Sequence, residues 1–179
     1  MGADSEFEAV TRRAAEAGDA TAMLTLGGLA FRKGQREDAE RWWREAGDRG
    51  NSTAMSNLAA LLAERDPAEA EVWLRRAAAK REVTALHNLG FILYKRDADE
   101  AVKWYLMAAQ RGYAASMYNY AMHILKTDPN EAERWLVRAA GTGDVGSMRK
   151  LAERLQDRDP EQAAAWARKA AEHENEASG

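Results

Sequence analysis

The sequence predicts an all-α protein built as a stack of antiparallel helix pairs, and three observations predict it. Trp42, Trp73, Trp104, Trp135 and Trp166 stand 31 residues apart at each step, and Ala46, Ala77, Ala108, Ala139 and Ala170 keep that step four residues later. The three prolines, Pro67, Pro129 and Pro160, each follow an Asp and precede one of these tryptophans by six residues. Around both marks, small and apolar residues recur at helical spacing. A fixed period of about 20 to 50 residues is the signature of stacked units that bury their apolar faces only against neighbours.

Residues from about 4 to 17, with Phe7, Val10, Ala14 and Ala15 before Gly18-Asp19, read as the second helix of a pair without its first. Five full repeats follow, at 19–50, 51–81, 82–112, 113–143 and 144–174, and a polar tail, 175–179, is expected to fray. The whole is read as a single helical-repeat domain of eleven helices.

Within a repeat, the first helix carries small, apolar, apolar and small residues at i, i+1, i+4 and i+5, as in Ala54, Met55, Leu58 and Ala59, with Leu62 at i+8. The matching sets begin at Ala22, Ala85, Ser116 and Ser147. That stripe packs inward and its small members permit close helix approach. The second helix starts near 67, 98, 129 and 160, where Asp66, Asp97, Asp128 and Asp159 are candidate N-caps and proline suits the first turn. Its buried stripe is Ala70, Trp73, Leu74 and Ala77, repeated at Ala101, Trp104, Tyr105 and Ala108 and again at Ala132, Trp135, Leu136 and Ala139.

The opening repeat is one residue longer and turns at Gly34. Between repeats, Gly50, Gly112 and Gly143 supply the left-handed helix end, and Asn51 and Asp144 cap the next helix. Asn51-Ser52-Thr53 matches a glycosylation sequon, but capping is its simpler role. Gly27-Gly28 reads as close packing or a cut turn. Trp43, beside the repeat Trp42, is expected to sit exposed, and with Phe7 and Val10 it marks where two copies could associate end to end.

Composition limits the function classes. Charges of both signs, 26 basic and 29 acidic, leave a net charge of -3, so nucleic acid is a disfavoured partner. The absence of cysteine excludes a disulfide framework and a thiolate nucleophile. Met1 to Glu8 do not resemble a secretory leader, and no run approaches the roughly 18 apolar residues of a membrane span. A cytoplasmic location and no membrane partner are the expectation. His87, His123 and His173 are scattered, and no catalytic or phosphate-loop motif is present, so no metal, cofactor or catalytic residue is expected.

The pattern A-x-x-x-L-G, an alanine with an aromatic three later and alanine seven later, then Gly with Asn or Asp, resembles the tetratricopeptide-like repeats and is closest to their Sel-like variant. The likeness runs from Gly18 to about Ala171, with a shorter unit than is usual. It implies a right-handed α-solenoid whose first helices line a concave groove, and a non-catalytic scaffold or adaptor that binds a protein or peptide there. Two alternatives stand beside it: a regulatory or assembly module of a larger protein, and, less favoured on charge, an RNA-binding helical repeat.

Asn57, Asn88 and Asn119 share one register before the first-helix leucine or tyrosine, with Thr25 in the first repeat and Lys150 in the fifth. Such a ladder can pair with the backbone of an extended guest, as the resemblance also implies; the other reading is that the amides face water or helix ends. His87, Tyr118 and Arg149 are expected nearby, with Phe91 and Met122 one turn on and Lys95 and Lys126 near the helix ends. This mixture of aromatic anchors and positive charge suits an acidic peptide, unless the charges are ordinary solvated ones.

Overall fold

The computed structural model describes residues 2–178, and side chains over 6–176. Among the described residues there are eleven helices and no strand. They are α1 (Gly2–Glu16), α2 (Ala20–Arg32), α3 (Arg36–Asp48), α4 (Ser52–Leu62), α5 (Pro67–Ala79), α6 (Val83–Leu93), α7 (Ala98–Gln110), α8 (Ala114–Ile124), α9 (Pro129–Ala140), α10 (Val145–Leu155) and α11 (Pro160–Ser178). The chain divides into two compact units at the Ile92–Leu93 bond, inside α6.

In the first unit α1 packs on α2, α2 on α3, α3 on α4 and α4 on α5. In the second, α7 packs on α8, α8 on α9, α9 on α10 and α10 on α11. Second helices α5, α7, α9 and α11 start where the Asp-Pro or Asp-Ala step placed them, while α3 starts at Arg36 after the turn at Gly34. Asp66, Asp97 and Asp128 each accept the backbone N–H three residues on at 2.9 Å, and Asp159 does so at 3.0 Å. Asn51 accepts from Ala54 and Asp144 from Ser147, so the linker residues cap the first helices as expected. The last helix continues through His173 to Ser178, where the sequence suggests fraying; Arg149 of α10 holds Glu174 there in an ion pair. Gly179 lies outside the described residues.

The predicted stripes form the core. Ala54, Met55, Leu58, Ala59 and Leu62 are buried, as are Ala70, Trp73, Leu74 and Ala77. In the second unit Trp135 and Leu136 are buried with Met148 and Leu151, and Tyr120 meets the Trp135 ring edge-on at 5.6 Å. The indole N–H of Trp73, Trp104 and Trp135 each donates to the glutamate one turn earlier, Glu69, Glu100 and Glu131. The ring thus buries its body while its polar edge stays partnered. Trp104 departs from the expectation: it is half-buried, so its truncation removes less apolar area from shelter than truncation of Trp73.

Trp43 is the larger correction. It is buried, 5% exposed, and not a surface indole. It stands 31 residues before Leu74, hence in the inward register, and its N–H donates to the Leu24 carbonyl at 3.3 Å. Gly27 makes room for it: a Cβ there would lie 2.4 Å from Trp43 Cδ1 and Nε1. Of the residues nominated for end-to-end contact, Phe7 and Val10 are exposed and Trp43 drops out.

The links between repeats end in a left-handed residue, with φ of 88° at Gly50, 92° at Gly112 and 93° at Gly143. The second link puts Arg81 at this place, with φ of 63°. An L side chain there costs about 1 to 2 kcal/mol, partly offset by the extra freedom glycine has when unfolded. Arg81→Gly is expected to raise stability by about 0.5 to 1 kcal/mol, read as a higher urea midpoint by circular dichroism.

Candidate binding groove

The first-helix face beside the buried stripe carries the candidate site. On α4, Asn57, Ala60 and Leu61 follow one another at i, i+3 and i+4, which puts them on one face, and Glu64 stands in the turn just after the helix. They line a groove of about 720 Å³ within the first unit. Helix α2 adds Gly28, Phe31 and Arg32; α3 adds Arg36 and Trp43; α6 adds Phe91 and Ile92.

Side-chain size accounts for the hollow. Gly28, Ala60 and Phe91 occupy the same register in three successive first helices. Two small residues followed by a phenyl leave a depression bounded on the α6 side. Phe91 is 69% exposed and Phe31 47% exposed, and the Phe31 ring stands 5.6 Å from that of Trp43. The buried indole therefore braces one exposed anchor.

The polar groups divide into those already engaged and those left open. Asn57 and Asn88 are half-buried, and neither amide has a hydrogen-bond partner among the described residues. Asn119 differs, because its amide hydrogen-bonds the Tyr105 phenol. Burial pushes that phenol up to about 12, and the Asn119 bond pulls in the opposite direction. The three asparagines are equivalent in register and inequivalent in availability. The reason is the residue 31 positions before Leu136, which is a tyrosine able to bond where the other copies hold Trp43 or Leu74.

The remaining nominated residues are spread over both units. His87 is half-buried, and burial lowers its imidazole below the usual histidine range. In the same register Ser56 is buried and donates to Glu82 at 2.6 Å, while Arg149 pairs with Glu174, so these two copies serve contacts between successive helices. Tyr118 lies beside Gly146, where a Cβ would meet its Cε2 at 3.7 Å. Met122 is half-buried and Lys95 and Lys126 are exposed. Lys150 pairs with Glu153 at 2.8 Å and Arg154 lies 3.7 Å from Glu133, so both cations are engaged locally. His123 meets Tyr94 edge-on at 6.2 Å.

Of the sequence-nominated residues, the groove brings together Asn57 and Phe91. Phe31, Arg32, Arg36, Leu61 and Ile92 join them without having been nominated. Leu61 and Ile92 are reachable from the sequence by extending the Asn57 and Asn88 stripes by one turn. Arg36 is not, because the longer first turn displaces it from the repeat register.

Among the described residues no three His, Asp or Glu side chains gather as metal ligands, and no helix is long and apolar enough to cross a membrane. The Sel1 repeat pattern matches the chain five times, over residues 20–51, 52–81, 84–113, 114–144 and 147–175. The chain belongs to the Sel1 repeat family. Its fold class is the helical-repeat solenoid of that family, whose members generally act as protein-interaction scaffolds and are typically non-catalytic. A Sel1 repeat protein from Oxalobacter formigenes is similar at 25% identity with a TM-score of 0.79, over 91% of this chain and 75% of that one. The protective antigen c5321 of uropathogenic Escherichia coli, which displays an SLR fold, is similar at 25% identity with a TM-score of 0.82. That match covers 94% of this Sel1 repeat protein but 43% of the antigen. YrrB, described as a TPR protein with an unusual peptide-binding site, shares the fold at 15% identity and a TM-score of 0.59, over 91% of each chain. Comparison with curated proteins gives no match.

Proposed function

We propose that this Sel1 repeat protein is a non-catalytic scaffold that holds an extended segment of another protein on the face shared by α2, α4 and α6. The observation that carries the reading is the groove of about 720 Å³ in which a half-buried, unpartnered Asn57 stands between exposed Phe31 and Phe91. An amide both donates and accepts, so one side chain can satisfy an N–H and a C=O of an extended backbone, while phenyl rings supply sequence-tolerant apolar contact. The unusual peptide-binding site of YrrB supports the class of ligand by analogy alone.

The test uses a partner captured from native lysate, purified, and titrated against variants of equal helicity. Phe91→Ala is expected to weaken binding about tenfold or more, and Asn57→Ala about two- to tenfold. Asn119→Ala is expected to change affinity little, since its amide is already bonded to Tyr105. Val72→Ala, at an exposed position of α5 outside the groove, is the control. A partner whose affinity ignores both Phe91→Ala and Asn57→Ala would place binding elsewhere on the protein.

A further inference from the structure

We propose that the α2–α4–α6 groove selects a segment bearing a carboxylate and, about three or more residues away, a large apolar side chain. This rests on the scaffold reading above and names the chemistry of its guest. Arg32 and Arg36 both line the groove and both are exposed, and neither has an ion-pair partner among the described residues. Several cations elsewhere in the same unit are matched, Lys33 with Glu8, Arg44 with Glu69, Arg65 with Glu40 and Arg76 with Asp48, and the other unmatched ones, Arg13, Lys80 and Arg81, do not line the groove. Two unmatched guanidiniums on one edge of an apolar hollow are a standing attraction for an anion. Arg32 also bends back over its own helix: Nη1 lies 3.9 Å from where a Cβ on Gly28 would stand.

Glu64, also lining the groove, sets where the anion sits and limits the anion to one. Glu64, in the turn after α4, occupies the register of Arg32 one repeat later, and it too lacks an ion-pair partner among the described residues. A carboxylate is drawn toward α2 and α3 and repelled from α4. Helices α2 and α4 both pack on α3, packed helices lie about 8 to 10 Å apart and an extended chain advances about 3.3 Å per residue, so one repeat corresponds to about three or more residues of guest. The apolar side chain then falls beside Leu61 and Phe91. A polyanion such as single-stranded RNA would set a further phosphate against Glu64, which disfavours it.

The probes are fluorescein-labelled, end-blocked octapeptides of glycine and serine carrying Asp or Lys and Phe or Ala at every ordered pair of positions, with a fluorescein-labelled oligouridylate as the competing class. Binding is read by anisotropy at low salt. The wild type is expected to prefer Asp and Phe three or more residues apart by at least tenfold over the Lys and Ala counterparts. Arg32→Glu/Arg36→Glu, at exposed positions with helicity checked, should reverse the preference toward Lys. Loss of the Asp preference, survival of it in the double variant, absence of peptide binding up to about 1 mM, or tighter binding of the oligouridylate would each overturn the inference. If natural-partner binding still depends on Asn57 and Phe91 in that event, the scaffold reading stands and the acidic-guest assignment alone falls. If it does not, both fall.

Discussion

Trp73→Ala is expected to cost about 3 to 5 kcal/mol. The ring is 4% exposed and reaches across to α3, where a Cβ on Gly47 would lie 2.9 Å from Trp73 Cζ3. Its N–H donates to Glu69 at 3.1 Å, and the Arg76 guanidinium lies 4.1 Å from the ring centre. Truncation opens a cavity between two successive second helices and removes the indole hydrogen bond to Glu69, which keeps its pairing with Arg44. The damage concentrates at one joint, and in a repeat array stability is close to a sum of units and nearest-neighbour joints. Urea unfolding of Trp73→Ala should therefore show an early transition confined to α1–α5, visible by hydrogen exchange, with α9–α11 retaining protection. Trp104→Ala, at a half-buried ring, should cost about 1 to 2 kcal/mol less. Equal costs for the two would contradict the burial difference.

Gly27→Ala is expected to destabilise by about 1 to 3 kcal/mol although alanine is the better helix former by about 1 kcal/mol. The added methyl would stand 2.4 Å from the Trp43 ring, whose movement is resisted by its bond to the Leu24 carbonyl and by Phe31. Trp43→Leu alone should cost about 2 to 5 kcal/mol through the cavity left behind. The double variant recreates the combination found one repeat later, where Ala59 and Leu74 occupy the same registers. It should recover about 1 to 3 kcal/mol relative to the sum of the singles, a coupling measured by a double-mutant cycle in urea. Simple additivity would show that the two residues do not compete for one space.

Much of this is legible in the sequence. The starts of α5, α7, α9 and α11 follow from an Asp followed by Pro or Ala, and the left-handed ends at Gly50, Gly112 and Gly143 follow from glycine after a helix. These features depend on residues within one turn of each other. The candidate site is legible in part: the stripe containing Asn57 and Phe91 is a matter of helical spacing. Which asparagine remains available is not, because that depends on whether the facing residue is Tyr105, Leu74 or Trp43.

Trp43 shows where the indole period misleads and what signal corrects it. The adjacent Trp42 holds the repeat register, which leaves Trp43 looking like an extra indole at the surface. Counting its own step of 31 to Leu74 and Tyr105 puts it on the inward stripe. A second signal lies 15 or 16 residues earlier: the aromatics Trp43 and Tyr105 follow Gly27 and Gly90, while Leu74 and Leu136 follow Ala59 and Ala121. Side-chain volume is thus traded between two registers of the repeat, as a close-packed interior requires.

The sequence by itself determined the fold class, the starts of the second helices from α5 on, and the family, since each rests on local spacing repeated along the chain. The tertiary structure alone decided that Trp43 is inside, that Trp104 is only half covered, and that Gly28, Ala60 and Phe91 enclose a hollow with two unmatched arginines at its edge. Those outcomes depend on volumes and charges that meet across helices, and a period in the sequence specifies which positions meet without specifying whether what meets there fills the space.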